Sequence, residues 1–139
     1  MEDELFQQLF KCKKIITETL LKLPEQGEQK FYNARKINDE SEEFTVVVNR
    51  KGYLNPDKLT YQLTSRYGIL VRIDMSGAPH ESVETPHVHI FDEKHDNGRI
   101  AFALQDITDV SLLQDIYDSF IFFLSYNNIK AGDIDQSLF

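Results

Sequence analysis

One cysteine, no tryptophan, four prolines and six glycines in 139 residues exclude several kinds of protein at the outset. A lone thiol, Cys12, rules out an intrachain disulfide and any thiolate cage for a metal. Its place among apolar positions points to a packing role instead. No segment approaches the ~20 apolar residues of a membrane span, and the phenylalanine-rich run at 120–124 is far too short. The opening Met1-Glu2-Asp3-Glu4 lacks the basic start and apolar run of a secretory leader, so a cytoplasmic protein with no membrane partner is expected. Basic residues are scarce too: 15 Lys and Arg face 23 Asp and Glu, a net charge of −8. That balance opposes non-specific nucleic-acid binding, which depends on neutralising phosphates. A basic protein would be a better long-range partner. Nor is there a Gly-rich phosphate loop, a Ser nucleophile elbow or a zincin helix motif.

What is present is ordinary globular material. Ten Phe and six Tyr supply a core, and the length suits one domain spanning 1–139. Leu5, Leu9, Cys12, Ile16, Leu20 and Leu23 recur at helical spacing, predicting a first helix from about 3 to 23 that Pro24 ends. Lys11, Lys13, Lys14 and Lys22 fall off that stripe and read as a solvated face. Strand-like segments fill about 31–104: Phe31–Ile37, Phe44–Asn49, Leu59–Thr64, Ile69–Met75, His87–Phe91 and Ile100–Leu104. Between them lie the charged turn Asn38–Glu43, Asn55-Pro56-Asp57 and a loop with Asp96-Asn97-Gly98. A second helix is expected over about 111–127, with Ser111 and Gln114 as a capping box and Asp109 as a rival cap. The acidic tail 130–139 either docks or stays mobile. The fold class is therefore α+β, an antiparallel sheet of about six strands with an N-terminal and a C-terminal helix on one face.

All four histidines fall within sixteen residues: His80, His87, His89 and His95. Strand side chains alternate, so His87, His89 and Phe91 share one face while Val88 and Ile90 take the other. The apolar pair suits the helices, which aims both imidazoles at the uncovered face. By the same alternation Ile69, Val71, Ile73 and Met75 are core, and Leu70, Arg72 and Asp74 join the histidines. In the last strand Ile100, Phe102 and Leu104 are core, and Ala101 and Ala103 form a small-residue floor. His80 leans over this group from its loop. His95, beside Asp96-Asn97-Gly98, reads as a turn histidine.

Two imidazoles can serve as acid and base near neutral pH, with an arginine on a phosphate oxygen and Asp74 orienting a ring. That is the equipment of a metal-independent RNase. The same atoms suit a zinc or iron ion, held by His87, His89 and either His80 or Asp74. Histidines also serve simply as hydrogen-bonding residues, and Arg72 and Asp74 as a cross-strand ion pair.

The stretch Leu70-Val71-Arg72-Ile73-Asp74-Met75-Ser76-Gly77-Ala78-Pro79-His80, followed by Thr85-Pro86-His87-Val88-His89-Ile90-Phe91, resembles an uncharacterised family of small proteins from Gram-positive bacteria and their phages. There an R-L-D-I strand runs into G-P-P-H and then P-H-L-H-I-Y. The likeness covers about 70–104, and the matching positions are Arg72, Asp74, Gly77, Pro79, His80, Pro86, His87 and His89. The loop from His80 to Pro86 is shorter here, and Phe91 stands where Tyr is frequent. More loosely, the P-H-x-H element is similar to one in TumE-type toxins of toxin–antitoxin modules.

Three expectations follow. The first is a toxin-like phosphodiester-cleaving protein of a prophage or mobile element. It would use His87, His89, His80, Arg72 and Asp74 on RNA without a cofactor, with an antitoxin as partner. The second is an acidic binding protein whose Glu40, Glu42 and Glu43 mimic phosphates toward a host nucleic-acid enzyme or regulator. The third is a His-x-His metal enzyme acting on a small molecule.

Overall fold

Apolar residues alternate with polar ones through the middle of the chain, and they fold there as a long antiparallel meander. The computed structural model describes residues 1–52 and 57–136. In chain order the elements are α1 (Asp3–Lys11), β1 (Lys14–Ile16), β2 (Leu20–Leu21), β3 (Gln29–Lys36), β4 (Asp39–Asn49), β5 (Thr60–Ser65) and β6 (Gly68–Asp74). They continue with β7 (His87–Ile90), β8 (Ala101–Ala103), α2 (Ile116–Tyr126), β9 (Ile129–Lys130) and β10 (Asp133–Ile134). Among the described residues, one sheet holds eight strands in the order β8-β7-β6-β5-β4-β3-β1-β9. β10 and β2 form a separate parallel pair. The β1–β9 pairing is parallel too, whereas the remaining neighbours in the large sheet are antiparallel.

One sheet face carries Tyr32, Val46, Val48, Tyr61, Leu63, Ile73 and Val88 into a single apolar core. Phe6 and Leu9 of α1 enter that core, as do Ile116, Phe120, Phe123 and Leu124 of α2. Tyr61 is the joint between layers. Its ring lies 5.9 Å from Phe120 and 5.4 Å from Phe123, and its hydroxyl sits 2.6 Å from Ser119 Oγ. Asp115 caps α2 by accepting from the Asp118 amide.

Several expectations need correction. The first helix does not run to Leu23 but ends at Lys11, and Ile15-Ile16-Thr17 goes extended as its β-branched run favours. Helical spacing persists by coincidence at Ile16, whose side chain is buried from a strand instead. Lys14 is no part of a solvated face. It is fully buried, and its amine donates to the carbonyls of Phe10 (2.8 Å), Cys12 (2.9 Å) and Asn127 (2.9 Å). Burial lowers that amine to about 8, which leaves it protonated at neutral pH.

Asn38–Glu43 is not a turn: Ile37-Asn38 alone joins β3 to β4, with Asn38 at φ 69, and the acids lie on β4. α2 begins at Ile116 rather than Ser111, and Asp109 caps a separate 3-10 turn over Val110–Leu112. The tail pairs twice before Gln136, in β9 and β10. Leu138-Phe139, and Asn55-Pro56 of the expected turn, lie outside the described residues. Among the described residues, no helix is long and apolar enough to cross a membrane.

Candidate functional site

The site is assembled by strand register. Asp74 pairs with His87 and Arg72 with His89 across β6 and β7, and β8 sets Ala103 and Ala101 beside the two histidines. On the other side, β5 sets Thr60 beside Asp74 and Gln62 beside Arg72. Alternation thus brings guanidinium, carboxylate and both imidazoles onto the face away from the core. It misplaces Leu70. The register slips between Leu63 and Thr64, so Leu70 is an extra residue whose side chain is buried in the core. Ile100 is likewise not core, since half of it is exposed.

That face is not open at the histidine end. His87 and His89 are each only 2% exposed, because the segments 76–86 and 91–100 close over them. His80 contributes a ring 4.9 Å from His89 and 6.4 Å from His87. Its Nε2 is 2.6 Å from the Arg99 carbonyl, so it stands outside the group of candidate ligand atoms. Non-glycine residues with positive φ, Glu81 and Ser82, form the tip of the covering turn. His95 is apart from the cluster, with Nδ1 2.7 Å from Asp92.

Hydrogen-bond accounting fixes how the buried rings point. His87 donates from Nδ1 to the Val83 carbonyl at 3.1 Å, and His89 does the same to the Gly98 carbonyl at 2.7 Å. Both Nε2 atoms therefore turn inward. That of His87 is 2.8 Å from Asp74 Oδ2 and that of His89 is 3.3 Å from the same oxygen. Arg72 Nη2 lies 3.0 Å from His89 Nε2, and Arg72 Nε lies 3.2 Å from Asp74 Oδ1. One lone pair cannot meet both neighbours of His89. With Nδ1 protonated, Nε2 accepts from the guanidinium, and its approach to the carboxylate is not a hydrogen bond. Thr60 donates to Asp74 Oδ1 at 3.2 Å. Burial alone would raise the Asp74 carboxyl, but the Arg72 guanidinium and the hydrogen bond from His87 hold it well below the usual carboxylate range. Asp74, His87 and His89 each offer a ligand atom, all within 4.8 Å of one another.

Gly98 supports this arrangement. It sits at φ 89, and an added Cβ would lie 2.5 Å from the Phe91 ring. Gly98→Ala is expected to lower stability by about 1–3 kcal/mol through the positive φ and the crowding. Urea unfolding reads this; a change under about 0.5 kcal/mol would show that the loop absorbs the methyl group freely.

A groove of about 410 Å³ adjoins the cluster, shared with Arg72 and Asp74. Its other walls include Asn49, Lys58, Thr60 and Gln62, and none of these was singled out from sequence. The pairing order that brings them together follows from a meander; only Thr60 and Gln62, alternating with buried neighbours, carried a signal. Glu42 ion-pairs with Arg66 at 3.7 Å, while Glu40 and Glu43 are exposed.

Fold and site together define a mixed α+β protein with a buried histidine–aspartate cluster on one sheet face. Over residues 1–129 the chain belongs to a family of unknown function, DUF6978. No curated protein and no solved structure matches it.

Proposed function

We propose that Asp74, His87 and His89 hold a divalent metal ion, zinc or ferrous iron, and that the chain is a metal-dependent enzyme acting on a small polar molecule in the adjoining groove. One observation carries this: both imidazoles give their Nδ1 protons to backbone carbonyls and turn Nε2 toward a single carboxylate oxygen. Outer hydrogen bonds of that kind are how proteins fix the tautomer of ligating histidines. For His87 the argument is sharper. Its second nitrogen also faces an acceptor, so it must either carry a second proton or meet a cation.

Two histidines and a carboxylate leave positions free for substrate, which suits zinc or ferrous iron. The ion supplies Lewis acidity toward a carbonyl or phosphoryl oxygen. Bound there, it would replace the Arg72 contact at His89, and the guanidinium, about a third exposed, would be left to the groove. Thr60 steadies the carboxylate, and the segments 76–86 and 91–100 keep bulk water from the rings.

Calorimetric titration of chelator-treated protein with zinc and with ferrous iron tests the reading. We expect near-stoichiometric binding that weakens in His87→Ala and His89→Ala by at least the roughly 10–100-fold that loss of a ligand's outer hydrogen-bond partner causes. Wild type binding neither ion, or the variants binding equally well, would remove it.

A second reading keeps the same residues without a metal, as a toxin-like phosphodiester-cleaving protein acting on RNA. The guanidinium against His89 Nε2 favours it, and the likeness to phage proteins and TumE-type toxins would then extend to an antitoxin partner. Burial of both rings counts against it, since acid and base must reach substrate protons. Cleavage that persists in excess chelator and disappears in His87→Ala would select it.

A further inference from the structure

The groove beside the cluster has walls chosen for charge rather than for apolar contact. Arg72 of β6 and Lys58, two residues before β5, line it together with the amides of Asn49 and Gln62. Among the described residues, no aromatic side chain lines it. Among the described residues its wall carries one carboxylate, Asp74, already engaged by His87, Arg72 and Thr60. Two cations against one satisfied anion make this a locally positive recess on a chain of net charge −8. Arg72 Nε is buried against Asp74 Oδ1 at 3.2 Å, an ion pair without hydrogen-bond geometry, so what Arg72 offers the groove is the exposed part of its side chain.

We infer that the groove binds the phosphate of a small organic phosphate monoester, making that the substrate class of the site. A guanidinium and an ammonium on one groove match a tetrahedral dianion better than a planar carboxylate, which one arginine can satisfy alone. Asn49 and Gln62 add donors for further phosphate or hydroxyl oxygens. A volume of about 410 Å³ holds a phosphorylated sugar or nucleoside, not a folded polymer. The inference rests on the metal reading only where it makes the ligand a substrate. An ion held by Asp74, His87 and His89 would share a wall with the phosphate and face one of its oxygens. Without an ion, recognition rests on Lys58 and on the exposed third of the Arg72 side chain, whose other contacts to His89 and Asp74 then persist.

The test uses adenosine monophosphate, inorganic phosphate and adenosine as probes, each titrated calorimetrically into the full chain with excess chelator and again with zinc. Expected are binding of the two phosphates in both conditions, tightening with zinc, and no binding of adenosine. Lys58→Met should weaken phosphate binding about tenfold, the worth of one charge-assisted contact, while zinc affinity is unchanged. Arg72→Met should weaken it at least as much. Phosphates that fail to bind while zinc binds would overturn the groove assignment and leave the metal reading intact. Phosphates that bind while zinc does not would do the reverse. Adenosine binding as tightly as its monophosphate, or Lys58→Met binding phosphate like wild type, would also overturn it.

Discussion

Lys14→Met is expected to lower the unfolding free energy by about 3 kcal/mol, roughly 10 °C in Tm for a chain of this length. Methionine fills nearly the same space, so lost packing contributes little. What is lost is donation. The Lys14 ammonium has three N–H groups and three acceptors, the carbonyls of Phe10, Cys12 and Asn127. Phe10 and Cys12 lie at the C-terminal end of α1 and Asn127 at that of α2, where backbone carbonyls have no partner within the helix and the dipole is negative. The bond to Asn127 ties the two ends together across 113 residues of sequence. The Phe44 ring lies 5.3 Å away and adds attraction for the cation.

Replacing a buried ion pair by apolar residues is often neutral, because both charges leave together. Here the acceptors are main chain and stay behind, so each orphaned carbonyl contributes about 1 kcal/mol to the loss. Urea unfolding at neutral pH, with the exposed Lys13→Met as reference, measures the difference. A Lys14→Met value within about 0.5 kcal/mol of that reference would show that water reaches all three carbonyls.

Lys14 also marks the limit of what periodicity can reveal. Burial of a charge is decided by two helix ends meeting 113 residues apart, and no local pattern encodes that meeting. The same region misled the helix boundary. Leu5 through Leu23 keep helical spacing, yet the β-branched run at Ile15-Ile16-Thr17 favours a strand once β3 offers it an edge. By contrast, β4 through β8 were legible because their residues alternate cleanly, and alternation alone put Arg72, Asp74, His87 and His89 on one face. It could not foresee the bulge that turns Leu70 inward, since a bulge depends on the partner strand as much as on its own sequence. Nor could it foresee that loops close over the histidines on a face expected to be uncovered. Turn signals at Gly77 and Gly98 identify a change of direction, not where the chain goes afterwards.

Asp74→Asn should be nearly as damaging as Lys14→Met, and its effect should depend on pH in a way that the lysine's neighbours cannot imitate. The carboxylate accepts from His87 and Thr60 and ion-pairs with Arg72. An amide keeps the shape but offers N–H groups to a site already crowded with donors. Breaking such a pair from one side amounts to about 3–5 kcal/mol when buried. Arg72 is about a third exposed, so solvent screening brings the expected loss to about 2–4 kcal/mol at pH 7. The acid in the folded chain titrates below its ordinary value of about 3.9. Below pH 4 the unfolded chain therefore binds more protons at this position, and the stability that Asp74 contributes falls away as pH drops. Asparagine has nothing to titrate there. The gap between wild type and Asp74→Asn should be full at pH 7 and narrow steadily below about pH 4. Urea unfolding in excess chelator, so that no divalent ion contributes, measures it at each pH. Asp96→Asn, which breaks a surface pair with Arg99 at 3.4 Å, should change little anywhere. A gap between wild type and Asp74→Asn that stays constant from pH 7 to pH 3 would mean that the carboxylate is not held ionised by its three neighbours. The cluster would then lack the charged acceptor on which both a metal site and an ordered pair of imidazoles depend.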